Sequence, residues 1–184
     1  MVITIMERVR PMSLLLDQSL LADRLELTDL LARLSRSVDR ADHEGIVACY
    51  AEESYDEHGS GYQGSGRGFA DYICGGSPTS GGAHFLLHLL GQSLFDIDGD
   101  EAFGETAYMM DLKTAVGELV HASGRYLDYF QRIDGSWKIK YRRVVSDWTG
   151  TVHGVEYPKS DKQIASARDK SDPVYHPKRW PGNV

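Results

Sequence analysis

Two cysteines in 184 residues, Cys49 and Cys74, form no CxxC pair, so neither a zinc ribbon nor a disulfide framework can be built from them. That scarcity predicts a reduced, cytoplasmic setting. No apolar stretch approaches the ~20 residues of a membrane span, and Met1 to Met6 lead into Glu7, Arg8, Arg10 and Pro11 rather than into a secretory core with a cleavage site. Membrane partners are therefore not expected. Basic charge is also short: 20 Lys plus Arg stand against 27 Asp plus Glu, a formal charge of −7. Phosphate contacts need Lys or Arg, so this balance argues against nucleic acid as the main partner. A P-loop, a Gly-x-Ser-x-Gly elbow, an HExxH zinc motif and a Cys/His nucleophile are all missing.

What is present is a globular composition, 41% hydrophobic and 26% charged. A chain of this length buries roughly two thirds of the surface its unfolded form exposes, enough for one domain without staples. Leu20, Leu21, Leu25, Leu27, Leu30, Leu31, Leu34 and Val38 recur at mostly three- and four-residue steps, predicting an amphipathic helix from about Leu20 to Asp39. Glu44 to Tyr50 and Phe69 to Cys74 read as two further short helices separated by glycine loops. The second half alternates: Leu90 to Ile97, Ala102 to Leu112, Glu118 to Arg132 and Trp137 to Thr149 predict four antiparallel strands, with Asp98-Gly99 and Asp134-Gly135 as hairpin turns. Helices first and strands afterwards give an α+β domain in which a long helix packs on a curved sheet. Residues 1–18 read as a flexible lead-in, 19–157 as the single domain, and 158–184 as a tail. The tail holds six basic and three acidic residues, with Val174, Tyr175 and Trp180 as apolar anchors for docking near the pocket or on a neighbouring subunit.

Few residues are placed for chemistry. Asp39 sits at a helix C-terminus, where the carbonyl ends make an acidic side chain unfavourable by about 0.3–1 kcal/mol. It continues the small-residue line Thr28, Ala32 and Ser35, so it either points at the sheet or is solvated at a frayed end. His84 and His88 form an HxxxH pair, but at the entry to a strand these positions stand well apart, and no third ligand accompanies them. No metal is expected. An imidazole remains the side chain best suited to move protons near neutral pH. On the last strand, alternation lets either Arg142 or Arg143 face inward, where its charge would need a carboxylate or an anionic ligand. Tyr108, Tyr126 and Trp148 are candidates to line the same space.

Taken in order, the segments LLARLSRSVD at 30–39, HLLGQ at 88–92, IDGDEA at 97–102, GRYLD at 124–128 and DGSWKI at 134–139 resemble the SnoaL-like group of the NTF2-like superfamily. The similarity is strongest to the branch containing scytalone dehydratase, bile acid 7α-dehydratase and hexachlorocyclohexane dehydrochlorinase. It implies a cone-shaped α+β barrel, with a curved antiparallel sheet and three N-terminal helices enclosing an apolar pocket. It also implies a trimer, and catalysis without metal or organic cofactor.

The same resemblance gives the catalytic roles to His88 as base, Asp39 as its partner and Arg142 as the group facing developing negative charge, with Leu34, His84, Gln92, Tyr108, Tyr126 and Ser146 around the substrate. Three positions depart from the pattern. Leu34 stands where a lysine or tyrosine is usual, Ser146 where the bile acid enzyme has an arginine, and Gln92 where asparagine is common. The function implied is a lyase that removes water, or hydrogen halide, from a hydrophobic cyclic substrate. An isomerase or cyclase acting through an enolate, a non-catalytic binding module, and a structural subunit similar to the small subunit of ring-hydroxylating dioxygenases are the alternatives.

Overall fold

A computed structural model describes residues 18–75, 83, 85–153, 160 and 163–176. The leucine repeat closes into helix α1 (Gln18–Asp39), whose buried stripe is Leu27, Leu30, Leu31, Leu34 and Val38. Leu21 and Leu25 are exposed, although they share the helical spacing. At about 100° per residue they lie roughly 100° and 140° around the axis from the line through Leu20 and Val38. The helix ends in a Schellman turn, with Asp42 N donating to Ser37 O at 2.8 Å and Ala41 N to Val38 O at 3.2 Å. Ala41 occupies the left-handed position, φ 49°, that glycine usually fills.

Asp42 caps the short helix α2 (His43–Val47). Tyr50, expected to close that helix, instead opens strand β1 (Tyr50–Glu57). Strand β2 (Gln63–Gly64) and helix α3 (Gly66–Cys74) follow, the latter capped by Ser65 and burying Phe69, Ala70 and Ile73. The long strands are β3 (Phe85–Asp98), β4 (Glu101–Lys113), β5 (Leu119–Ile133) and β6 (Ser136–Val152). Positive φ at Asp134 and Gly135 makes the expected tight turn between β5 and β6.

Six strands, rather than four, form one sheet in the order β2-β1-β6-β5-β4-β3. Because β1 runs parallel to β6, the sheet is mixed and not antiparallel throughout. It is an open, curved sheet with the helices on one side, the cone that the resemblance implied. Two-residue alternation is cleanest on β5, where Ala122, Tyr126, Asp128 and Phe130 are all buried. Elsewhere bulges shift it. On β6, Ile139 pairs with Phe130 and Tyr141 with Tyr129, so Lys140 is the extra residue. On β3, Leu90 pairs with Tyr108 and Ser93 with Thr106, so Gly91 and Gln92 together face Ala107. Each bulge bends the sheet and swaps which residues point inward. Among the described residues no helix is long and apolar enough to cross a membrane.

Candidate active site

The concave face and the helices enclose a cavity of about 480 Å³. Leu34, Val38, Phe69, Ile73, Leu86 and Met110 give it an apolar wall. Into it open His58, His88, Tyr108, Tyr126 and Arg142.

Asp39, at the last turn of α1, is 4% exposed. Both of its carboxylate oxygens are engaged by one residue of β3: His88 Nδ1 lies 2.6 Å from Oδ1, and the His88 backbone N–H donates to Oδ2 at 3.1 Å. An ionised carboxylate only accepts, so opposite ionised Asp39 the imidazole proton sits on Nδ1. The second ring nitrogen, Nε2, is left as an acceptor on a residue that lines the cavity. Asp39 is therefore not solvated at a frayed end. Its own main chain is fastened from behind, with Arg168 donating to the carbonyls of Asp39 and Val38, both at 3.2 Å. Lys170 and Tyr175 hold Asp42, and Arg40 pairs with Asp172 at 3.1 Å. Asp42 is held below its ordinary value: burial acts to raise it, and the bonds from Lys170, Tyr175 and Gly45 outweigh burial. Burial and Asp42 push the Tyr175 phenol up to about 12.

The bulge at Lys140 decides which arginine turns in. Continued alternation from Trp137 and Ile139 would have aimed Tyr141 and Arg143 inward; the extra residue puts Arg142 there instead, 4% exposed. Arg143 points outward to Glu57 at 2.9 Å. Arg142 is gripped by Asp128 through Nε at 2.7 Å and Nη2 at 2.8 Å, and its guanidinium carbon lies 4.1 Å from the Tyr126 ring centre. Its charge is thus already matched by a carboxylate. Burial raises Asp128 above the ordinary carboxylate range and Arg142 opposes it. Burial likewise penalises the guanidinium, but Asp128 more than offsets it and Arg142 stays charged. Tyr126 and Tyr108 stack with centres 4.4 Å apart, and burial raises the Tyr126 phenol.

Other expected residues fall differently. Leu34 lines the cavity, and Ser146 stands at its rim, exposed, 3.4 Å from the Thr149 hydroxyl. Gln92, expected beside the substrate, does not line the cavity: it lies in the β3 bulge and is exposed. Trp148 is half-exposed against His121 on the outside, 5.6 Å between ring centres. His84 lies outside the described residues. Among the described residues no group of three His, Cys, Asp or Glu side chains is arranged to hold a metal.

Sequence reasoning did not find Asp128, Arg168, or the trio Tyr50, Asp56 and His58. Asp56 is fully buried and is hydrogen-bonded both by the Tyr50 hydroxyl and by His58 Nδ1. The available signal was the two-residue step from Asp56 to His58, which places both on one face of an extended segment.

A helix-borne carboxylate against a strand-borne histidine under a curved sheet places the chain in the NTF2-like class. Residues 19–143 match the SnoaL-like domain, and the chain belongs to that family. Among solved structures it is similar to Rv3472 of Mycobacterium tuberculosis, described as of unknown function, at 29% identity over 70% of this chain and 74% of that one, TM-score 0.60. It is also similar to a hexachlorocyclohexane dehydrochlorinase, LinA type 2, at 16% identity over 79% of this chain and 99% of that one, TM-score 0.69. A scytalone dehydratase-like protein from Novosphingobium aromaticivorans shares 16% identity over 80% of this chain and 98% of that one, TM-score 0.64. The last two show the common fold. No curated protein matches the chain by sequence.

Proposed function

We propose that the protein is a cofactor-independent lyase that removes water, or hydrogen halide, from a hydrophobic cyclic substrate. The observation that carries this reading is the His88 to Asp39 contact of 2.6 Å, with the ring on the cavity wall. A histidine alone in an apolar pocket is a poor proton acceptor, because burial disfavours the imidazolium. Asp39 reverses that. It fixes the tautomer with Nε2 free and stabilises the cation once the proton arrives.

In the proposed step His88 Nε2 takes a proton from a ring carbon. The electron pair left on that carbon forms the double bond as the neighbouring carbon loses its leaving group. Assistance of this kind is worth typically 10²–10⁴-fold, about 3–5 kcal/mol at the transition state. If the acidic carbon is next to a carbonyl, charge passes through an enolate oxygen. Arg142, compensated by Asp128, then serves as an oriented hydrogen-bond donor and not as a bare charge. The Tyr108 and Tyr126 pair supplies a flat wall for a ring. An enolate reprotonated at a different carbon would make the same site an isomerase, and product analysis separates the two.

Incubation with a panel of hydroxylated and halogenated alicyclic ketones tests the proposal. Appearance of the conjugated alkene with wild type, and its loss in a folded His88→Ala variant, is the expected result. Undiminished turnover in that variant would remove His88 as the base. Tight binding of a panel member without turnover would make the pocket a carrier.

A further inference from the structure

The cavity holds a second histidine on a carboxylate. His58, just beyond the end of β1, points Nδ1 at Asp56, a carboxylate with no exposure that also accepts the Tyr50 hydroxyl. Its ring lies on Phe69 of α3, with centres 4.6 Å apart and planes 16° from parallel, so its orientation is fixed from two directions. It lines the same cavity as His88 and its side chain is 28% exposed, which leaves Nε2 open to a ligand. The sheet order puts β1 and β3 on opposite flanks, with β6, β5 and β4 between them. A substrate in the cavity is therefore bracketed by two imidazoles on separate walls.

Two buried carboxylates lie on the β1 side of the cavity. Asp56 and Asp128 are both buried there, and Arg142 is matched to Asp128 by two bonds. Asp56 has only neutral Tyr50 and His58 as partners among the described contacts. Asp56 holds His58 through Nδ1 as Asp39 holds His88, so each of the two imidazoles can pass a proton to or from a group in the cavity.

We infer that His58 is the general acid of the reaction and that the leaving group is a hydroxyl rather than a halide. This rests on the lyase reading above. The balance is complete without any co-reactant: His88 Nε2 receives the proton as the C–H bond breaks, its electron pair forms C=C, the C–O bond breaks, and His58 Nε2 gives its proton to the departing oxygen, releasing water. The two histidines then exchange their protons with solvent. Chloride needs no proton to depart, so a dehydrohalogenase would have no work for this second dyad. The enclosed space, about 480 Å³, suits a skeleton of two or three rings.

The test uses two probes on one decalin skeleton, the β-hydroxy ketone and the β-chloro ketone, which give the same enone. Wild type should convert both. His58→Gln should lose about 10²–10⁴-fold on the hydroxy probe and stay within about threefold on the chloro probe, whereas His88→Gln should lose both. An unchanged hydroxy rate in His58→Gln, with His88→Gln inactive, overturns the acid assignment and leaves the base intact. Equal loss on both probes in a folded His58→Gln protein also overturns it. Full activity of His88→Gln, or no turnover of either probe by wild type, overturns the lyase reading and this inference with it. Should His58→Gln fail to fold, wild type alone decides: conversion of the chloro probe but not the hydroxy probe is the contrary result.

Discussion

Replacing Asp39 by Asn would change one atom of the side chain and, by the geometry of β3, the tautomer of His88. The His88 backbone N–H is a fixed donor 3.1 Å from Oδ2, so the amide oxygen of Asn must take that place. Its NH₂ group then faces Nδ1, 2.6 Å away in the wild type, and donates to it. The imidazole proton is driven to Nε2, where the base needs a lone pair. The opposite amide orientation restores the tautomer but leaves a buried backbone N–H against an NH₂, at a cost of about 1–3 kcal/mol, or roughly 5- to 150-fold in population. Exchanging a charge-assisted bond for a neutral one removes about 1.5 kcal/mol more from the imidazolium, roughly tenfold. The product is a fall of about 10²–10³ in kcat/KM with the fold retained. Long-range ¹H–¹⁵N correlation of the imidazole reads the cause without substrate: Nδ1–H in wild type, Nε2–H in the variant. An unchanged tautomer together with an unchanged rate would refute the reasoning.

Three other outcomes follow from the packing. Ala41→Gly should stabilise the protein by about 0.5–1 kcal/mol in urea unfolding, because glycine adopts the left-handed C′ position without the Cβ penalty that alanine carries at φ 49°. A destabilised variant would contradict the Schellman assignment. Asp128→Ala leaves Arg142 buried and unpaired and should cost about 3–5 kcal/mol; a loss under about 1 kcal/mol would show that the guanidinium reaches water. Asp42 has a folded value below its ordinary 3.8, so its contribution is full above that value and disappears as pH falls through the folded one. The stability difference between wild type and Asp42→Asn, measured by urea unfolding, should be constant near neutral pH and shrink on acidification. Growth of that difference toward low pH would reverse the sign and contradict the contacts with Lys170 and Tyr175.

The elements that chose themselves by local pattern were legible in the sequence. The leucine repeat of α1, the amphipathic turn of α3 and the Asp-Gly turns between long strands all depend on residues within a few positions of one another. β1 was not legible, because Glu52, Glu53, Asp56 and Glu57 break the apolar signal and its strand state is set by pairing with β6, more than eighty residues away. The loss of β1 hid His58 as well, since a glycine-rich loop gave no reason to aim an imidazole anywhere. Arg142 came from family resemblance, and alternation alone could not separate it from Arg143. A single extra residue at Lys140 makes that choice, and bulges leave little trace in sequence. The bulge at Gly91 and Gln92 did the reverse, turning outward a glutamine expected in the cavity. Asp39 and His88 were found as residues, but their contact depends on how α1 lies across β3, a tertiary fact.

The measurement that bears most directly on the central claim is the rate of enone formation from a β-hydroxy ketone of the decalin class by wild type and by His88→Ala, followed by ultraviolet absorbance. Turnover by wild type, with a fall of at least about 10² in the folded variant, is the predicted result. Equal rates in the two proteins would contradict it.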